Sequence, residues 1–172
     1  MGDPRFLRSV VYMVAHDSDG AMGFIINKRA EGLSLGDILK DMPETVAKTG
    51  LINLPVYVGG PVQNDRGFVL HTGDYEKTHN TLSQELPIAL TQSADVLVDA
   101  AHGRGPEKMR LFLGYAGWGP GQIEGELQDN AWLVCDANIA EIFTSQSDDL
   151  YEKCVAAMGI DLALLSNEGG EA

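Results

Sequence analysis

The chain of 172 residues has only two cysteines, Cys135 and Cys154, and no Cys-x-x-Cys pair. That is too few for a disulfide scaffold and the wrong spacing for a zinc knuckle, so both are read as reduced, packed thiols. Apolar runs are short. None approaches the roughly 18–20 residues that cross a bilayer, and Met1-Gly2-Asp3-Pro4-Arg5 lacks the basic-then-apolar order of a secretory leader. A cytoplasmic protein without membrane association is expected. Positive charge is scarce as well. The net charge is −13 and is unevenly spread: residues 1–110 hold 11 basic and 14 acidic side chains, whereas 111–172 hold Lys153 alone against 11 acids. Such an acidic third repels phosphate backbones, which makes nucleic acid an unfavourable partner. A local patch of Arg104, Lys108 and Arg110 beside Gly103 and Gly105 would be the exception.

Motifs that announce chemistry are also missing. His16, His71, His79 and His102 show no H-x-x-x-H spacing, and there is no G-x-S-x-G elbow or Walker loop. Asp17-Ser18-Asp19-Gly20 begins like a calcium loop, but Ala21 and Lys28 stand where the EF-hand needs an oxygen ligand and a Glu. No metal and no cofactor is expected.

What is present is the composition of a globular protein, 44% hydrophobic and 22% charged. Strands are predicted over Ser9 to His16, Met22 to Asn27, Pro55 to Val58, Gly67 to Thr72, Leu86 to Thr91, Met109 to Ala116 and Trp132 to Cys135. Turns fall at 17–20 and at Gln63-Asn64-Asp65-Arg66, and residues 73–85 read as loop. Ser34 starts a short helix with Leu35, Ile38, Leu39 and Met42 on one face and Pro43 stopping it. Ser93 starts another to about Ala101, Pro120 a third to about Asn130, and a last one runs from about Asp149 to Met158. Hairpins followed by strand–helix–strand order give a mixed α/β fold, with helices packed on a mixed sheet. One domain over 1–166 and a loose tail over 167–172 are expected. Tyr57-Val-Gly-Gly-Pro-Val-Gln63 weakly echoes Tyr115 to Gln122, as though two similar corners faced each other.

The stretch from Leu111 to Asp136 is the most informative. Gly117, Gly119 and Gly121 permit a tight turn between the most hydrophobic strand and the Pro120 helix, whose N-terminus offers unpaired N–H donors. The spacing is G-x-G-x-G, without a nearby cation, so it does not match a dinucleotide loop even though Asp136 sits where a ribose acid would stand. Glu124 and Glu126, two positions apart on a helix, point to different sides and cannot share a substrate. Gln122 and Glu126 share a face. Together with Tyr115, Trp118 and Trp132 they form either a ring-walled recess with polar tips or ordinary core and solvated surface. His71, at a strand end, is either a structural histidine or a general base.

Asp3-Pro4-Arg5-Phe6, Arg8 to Tyr12, His16, Gly20 to Gly23 with Asn27, Gly59-Gly60-Pro61-Val62, Gly67 to His71, Gly114 to Trp118, and Pro120 to Glu124 with Glu126 to Trp132 together resemble the YqgE/AlgH family over nearly the whole chain. The resemblance implies a compact bacterial cytosolic α/β protein whose sheet bends into a pseudo-barrel with helices outside. It implies no established activity and brings no catalytic residues. Members are described as transcriptional regulators through an association with alginate production, a role that sits badly with the acidic C-terminal third. In one departure, relatives carry a further segment with an apolar strand ahead of the Asp-Pro-Arg-Phe motif, and lacking it would uncover a sheet edge or groove. The leading expectation is a regulatory protein that binds a protein or small-molecule partner through His71, Tyr115, Gly117, Trp118, Gly119, Gly121, Gln122, Glu126 and Trp132. An enzyme using His71, Gln122 and Glu126, and a DNA-binding regulator, are the alternatives.

Overall fold

The structure, a computed structural model, describes residues 6–41, 50–75, 81–85, 88–144 and 147–161. Its strands are β1 (Val11–Asp17), β2 (Gly20–Ile25), β3 (Arg29–Ser34), β4 (Pro55–Val58), β5 (Val62–Thr72), β6 (Thr81–Glu85), β7 (Ile88–Thr91) and β8 (Met109–Trp118). Helices are α1 (Leu35–Ile38), α2 (Asp95–Ala101), α3 (Gln122–Gln128), α4 (Ile139–Thr144) and α5 (Ser147–Ala157). The sheet runs β1-β2-β8-β5-β7-β6, with β4 also on β8 and β3 on β4. All pairings are antiparallel except β4 with β8. Among the described residues the ends of this arrangement do not meet, so the mixed sheet is open and not the pseudo-barrel expected above.

β8 organises the fold because it is mostly apolar and has three strand neighbours. β5 lies on one edge, from His71↔Met109 to Val62↔Tyr115. The other edge is divided, with β4 beside Leu111 to Leu113 and β2 beside Ala116 to Trp118. The handover is built from glycine. Gly114 has φ +68°, and a Cβ there would lie 2.5 Å from the Gly60 carbonyl oxygen. The same residue breaks the two-residue alternation of side chains. Phe112 and Tyr115 consequently join one cluster, Leu111 and Leu113 a second, and Ala116 and Trp118 a third.

The first cluster centres on Phe24, Phe68 and Phe112, whose ring centroids lie 5.3 and 5.5 Å apart, and α4 and α5 cover it through Ile142 and Leu150. The second lies between the sheet and α1 and α2, where Leu35, Leu39, Val96 and Leu97 pack on Val56 and Val69. Ser34 begins α1 with a reciprocal cap, in which its hydroxyl accepts from the Asp37 N–H and Asp37 accepts from the Ser34 N–H.

Several predicted boundaries move. The turn at Gln63 to Arg66 is the exposed half of the long strand β5, with Gln63 at φ +50° and a register shift before Gly67. The predicted loop over 73–85 contains β6. Trp132 to Cys135 makes no strand and belongs to an irregular connector, and β3 and α4 lack a clear sequence signal. Ser93 accepts from the Asp95 N–H at 3.1 Å just ahead of α2, whose cap position is Ala94 and not Ser93. Met42, Pro43 and the tail over 167–172 fall outside the described residues. The echoed corners are offset by three residues: Val56-Tyr57-Val58 runs parallel to Leu111-Phe112-Leu113, so Tyr57 meets Phe112 and not Tyr115.

Candidate functional site

Gly117 and Trp118 end β8 and are not part of the turn, which comprises Gly119, Pro120 and Gly121, and α3 starts at Gln122, two residues after Pro120. The turn is closed by Gln122, whose side-chain oxygen accepts from the Gly119 N–H at 3.0 Å. Glu126 sits behind it. One of its oxygens accepts from the Trp118 indole at 3.0 Å and the Trp132 indole at 2.7 Å; the other accepts from the Gln122 amide at 3.0 Å. The two indoles meet edge to face at 5.9 Å, and Phe6 covers Trp132 at 5.6 Å. Burial pushes the Glu126 carboxyl up, but the hydrogen bonds from Trp132, Gln122 and Trp118 outweigh it and hold the group below its ordinary value. Trp118 is buried and Trp132 half-buried, and both indole N–H groups point to Glu126 and not to an open recess. Glu124 points away as expected and pairs with His16 at 2.7 Å.

His71 is nowhere near this corner. It pairs with Met109 at one end of β8 while Trp118 forms the other end, a separation of up to about 30 Å along extended chain. The ring is fully buried, with Nδ1 2.8 Å from the Thr72 carbonyl and Nε2 2.8 Å from the Thr91 hydroxyl. A carbonyl can only accept, so in the neutral ring Nδ1 carries the proton and Thr91 donates to Nε2. His71, Gln122 and Glu126 therefore cannot act on one substrate. Tyr115 is half-buried, its ring edge-on to Phe68 at 5.7 Å.

A second location is a cavity of about 220 Å³ at the starting ends of the parallel pair β4 and β8. Leu35 and Leu97 wall it from the α1/α2 side, Phe143 from α4, and Tyr57, Arg110 and Arg29 supply the polar lining. Arg110 is only 7% exposed. Its guanidinium stacks over the Tyr57 ring at 4.7 Å and donates to the Ile26 carbonyl at 3.1 Å. Burial pulls Arg110 below the ordinary guanidinium value; Tyr57 opposes this, and the nearby charge of Arg29 adds to the depression. Arg29 itself is exposed, on β3. The local basic patch that Arg104, Lys108 and Arg110 could have formed is thus not assembled. Arg110 faces inward, Arg104 lies 3.6 Å from the buried Asp99 carboxylate, and Lys108 is exposed. Asp136 stands exposed on the connector and not at a strand end. Among the described residues no three His, Cys, Asp or Glu side chains converge as a metal would require, and no helix is long and apolar enough to cross a membrane.

The AlgH-like family model matches residues 1–163. The chain belongs to the AlgH-like family. A UPF0301 protein of Ruegeria pomeroyi is 42% identical over all of this chain and 93% of its own length, and one from Stutzerimonas stutzeri is 42% identical over all of this chain and 90% of its own. The solution structure of the AlgH protein from Pseudomonas aeruginosa superposes with a TM-score of 0.80 at 41% identity, covering 100% of this chain and 90% of that one. A crystal structure of a Corynebacterium diphtheriae protein, TM-score 0.67 at 21% identity over 95% of this chain and 83% of that one, shares the fold alone. None of these relatives is described by a specific activity. In this AlgH-like chain the cavity residues share no sequence motif. The available signal was Arg110 itself, a charge within the apolar strand Met109-Arg110-Leu111-Phe112-Leu113, because buried cations are rare and cluster at functional sites.

Proposed function

We propose that this AlgH-like protein is a regulatory binding protein whose ligand is a small molecule with an anionic head and an apolar body, taken up between Arg29 and Arg110. The supporting observation is that both guanidiniums line one cavity close enough for Arg29 to depress Arg110. An anion placed between them relieves that repulsion and gains two charge-assisted donors. Leu35, Leu97 and Phe143 accept the apolar part. The volume lies below the roughly 300–1,000 Å³ of pockets for drug-sized ligands, which favours a small metabolite. Binding without turnover fits the lining, which among the described residues has no carboxylate, imidazole, thiol or hydroxyl apart from Tyr57. A thermal-shift panel of small carboxylates and phosphate monoesters tests this, since a ligand that prefers the folded state raises its melting temperature. At least one should stabilise the wild type and lose that effect in Arg29→Ala. A flat panel, or an undiminished effect in the variant, overturns the reading.

A second reading concerns a protein partner at the other end of β8, favoured by Leu133 and Val134, which are 61% and 75% exposed beside the Glu126 clamp. In it, Tyr115, Trp118, Gln122, Glu126 and Trp132 hold the corner in shape while Gly119, Pro120 and Gly121 present it. Pull-downs with the wild type and with Leu133→Ser/Val134→Ser should recover different proteins, and identical recoveries remove this reading.

A further inference from the structure

The cavity between Arg29 and Arg110 offers few polar partners, and their identity narrows what it can hold. Among the described residues its polar side chains are Arg29, Tyr57 and Arg110, and the rest of the lining is apolar, Leu35, Val69, Leu97, Leu111 and Phe143 included. The backbone around it is already spent. The Leu35 N–H donates to the Leu54 carbonyl at 3.0 Å, the Leu54 N–H to the Leu51 carbonyl at 2.9 Å, and the Leu97 N–H to the Ala94 carbonyl at 3.0 Å. Pro55 has no N–H, and Val69 and Leu111 stand in strands paired on both edges. A hydrogen-bonding group placed anywhere but beside the guanidiniums or Tyr57 would lose its water and gain no partner.

Resting on the cavity reading above, we propose that the ligand is an aliphatic monocarboxylate with a chain of about six carbons, its carboxylate held by Arg29 and Arg110 and its tail by the apolar walls. Sugars, nucleosides and amino acids carry hydroxyls, amides or ammonium groups that find no partner in these walls, and an ammonium would also face two guanidiniums. A dicarboxylate leaves its second charge among leucines and valines. Carboxylate and phosphate are separated by charge. Arg110, buried, stacks on the Tyr57 ring and donates to the Ile26 carbonyl, whereas Arg29 is exposed and screened by water. One buried cation matches a single negative charge. A phosphate monoester brings roughly −1.5 to −2 charges and three acceptor oxygens, and so a larger desolvation cost with fewer donors per oxygen to offset it.

The free volume sets the chain length. The cavity's 220 Å³ or so is the liquid share of about seven waters, which a carboxylate with a tail of about five carbons fills and acetate does not. Each methylene added up to that length buries more apolar surface and tightens binding about three- to fourfold. Further carbons meet packed side chains, among them Leu97 of α2, which is 5% exposed. Shortening Leu97 makes room for a longer tail.

Isothermal titration calorimetry of the full chain with acetate, butanoate, hexanoate, octanoate and decanoate, each kept below its micelle concentration, and with hexyl phosphate and hexylamine, provides the test. Affinity should rise about three- to fourfold per methylene as far as hexanoate or so and fall again by decanoate. Hexyl phosphate should bind at least about tenfold more weakly than hexanoate, and hexylamine not at all. Leu97→Ala should move the best chain about two or three carbons longer; should that variant fail to fold, the wild-type series decides alone. Hexyl phosphate binding more tightly than hexanoate, and losing that affinity in Arg29→Ala, overturns the monocarboxylate but leaves the cavity reading standing. Affinity independent of chain length, or still rising at decanoate, also overturns it. No binding by any of the anions removes both.

Discussion

Glu126 shows how a surface-looking carboxylate becomes structural. Three side-chain donors converge on its two oxygens, and an amide in its place keeps only one of those acceptors. Glu126→Gln presents an amide N–H₂ where a second acceptor is needed, and should cost about 1–3 kcal/mol in chemical denaturation. The pH dependence has a definite sign. The folded-state value is lowered, so the stabilisation is whole above the unfolded carboxyl value near 4.3 and is lost as the pH falls through the lowered folded value. The acid limb of the wild-type stability curve should accordingly fall more steeply than that of Glu126→Gln, a difference that urea titrations between about pH 2 and 5 would read. Sequence alone placed Gln122 and Glu126 on one face through helical spacing and grouped Trp118 and Trp132 with them. It could not show that the indoles point their N–H groups at the carboxylate, because that depends on where the connector returns after α3.

At the scale of elements, β8 and its glycine corner decide the architecture. An alanine at Gly114 would need a left-handed backbone and would press its Cβ against the Gly60 carbonyl. Gly114→Ala should therefore destabilise by about 2–4 kcal/mol and loosen both β4 and β2 from β8, visible as faster amide exchange at Leu113 and Ala116. Ser34→Ala removes one half of the α1 cap and should cost about 1 kcal/mol. Hairpin β1–β2, the Ser34 helix start, β4 and β8 were legible because they carry strong local signals: β-branched runs, a side-chain cap and a long apolar stretch. β3 and the first half of β5 were not, since Arg29 to Ser34 is a polar, glycine-containing stretch that pairs with β4, and Gln63 to Arg66 is a polar stretch held between Val62 and Gly67, which pair with β8. Tertiary pairing overrode local propensity there.

Across the whole molecule, charge and topology divide the roles. The cations that could have gripped DNA are dispersed, Arg110 to the cavity and Arg104 to Asp99, while the 111–172 third remains acidic. Fluorescence anisotropy with duplex DNA at physiological salt should show no saturable binding, and micromolar affinity with a steep salt slope would refute that. The family was readable from ordered motifs spread along the chain, but the cavity was not, because Arg29, Tyr57, Leu97, Arg110 and Phe143 come from five elements and share no local spacing. Only long-range assembly reveals it. The most direct test of the central claim is an NMR titration of isotope-labelled protein with the anionic ligand that gives the largest thermal shift. The expected result is a cluster of shifts at the Arg110 and Arg29 side-chain N–H groups, Tyr57 and Leu97, weakened about tenfold in affinity by Arg29→Ala; shifts confined to the Gly119–Gln122 corner, or spread without a focus, would contradict it.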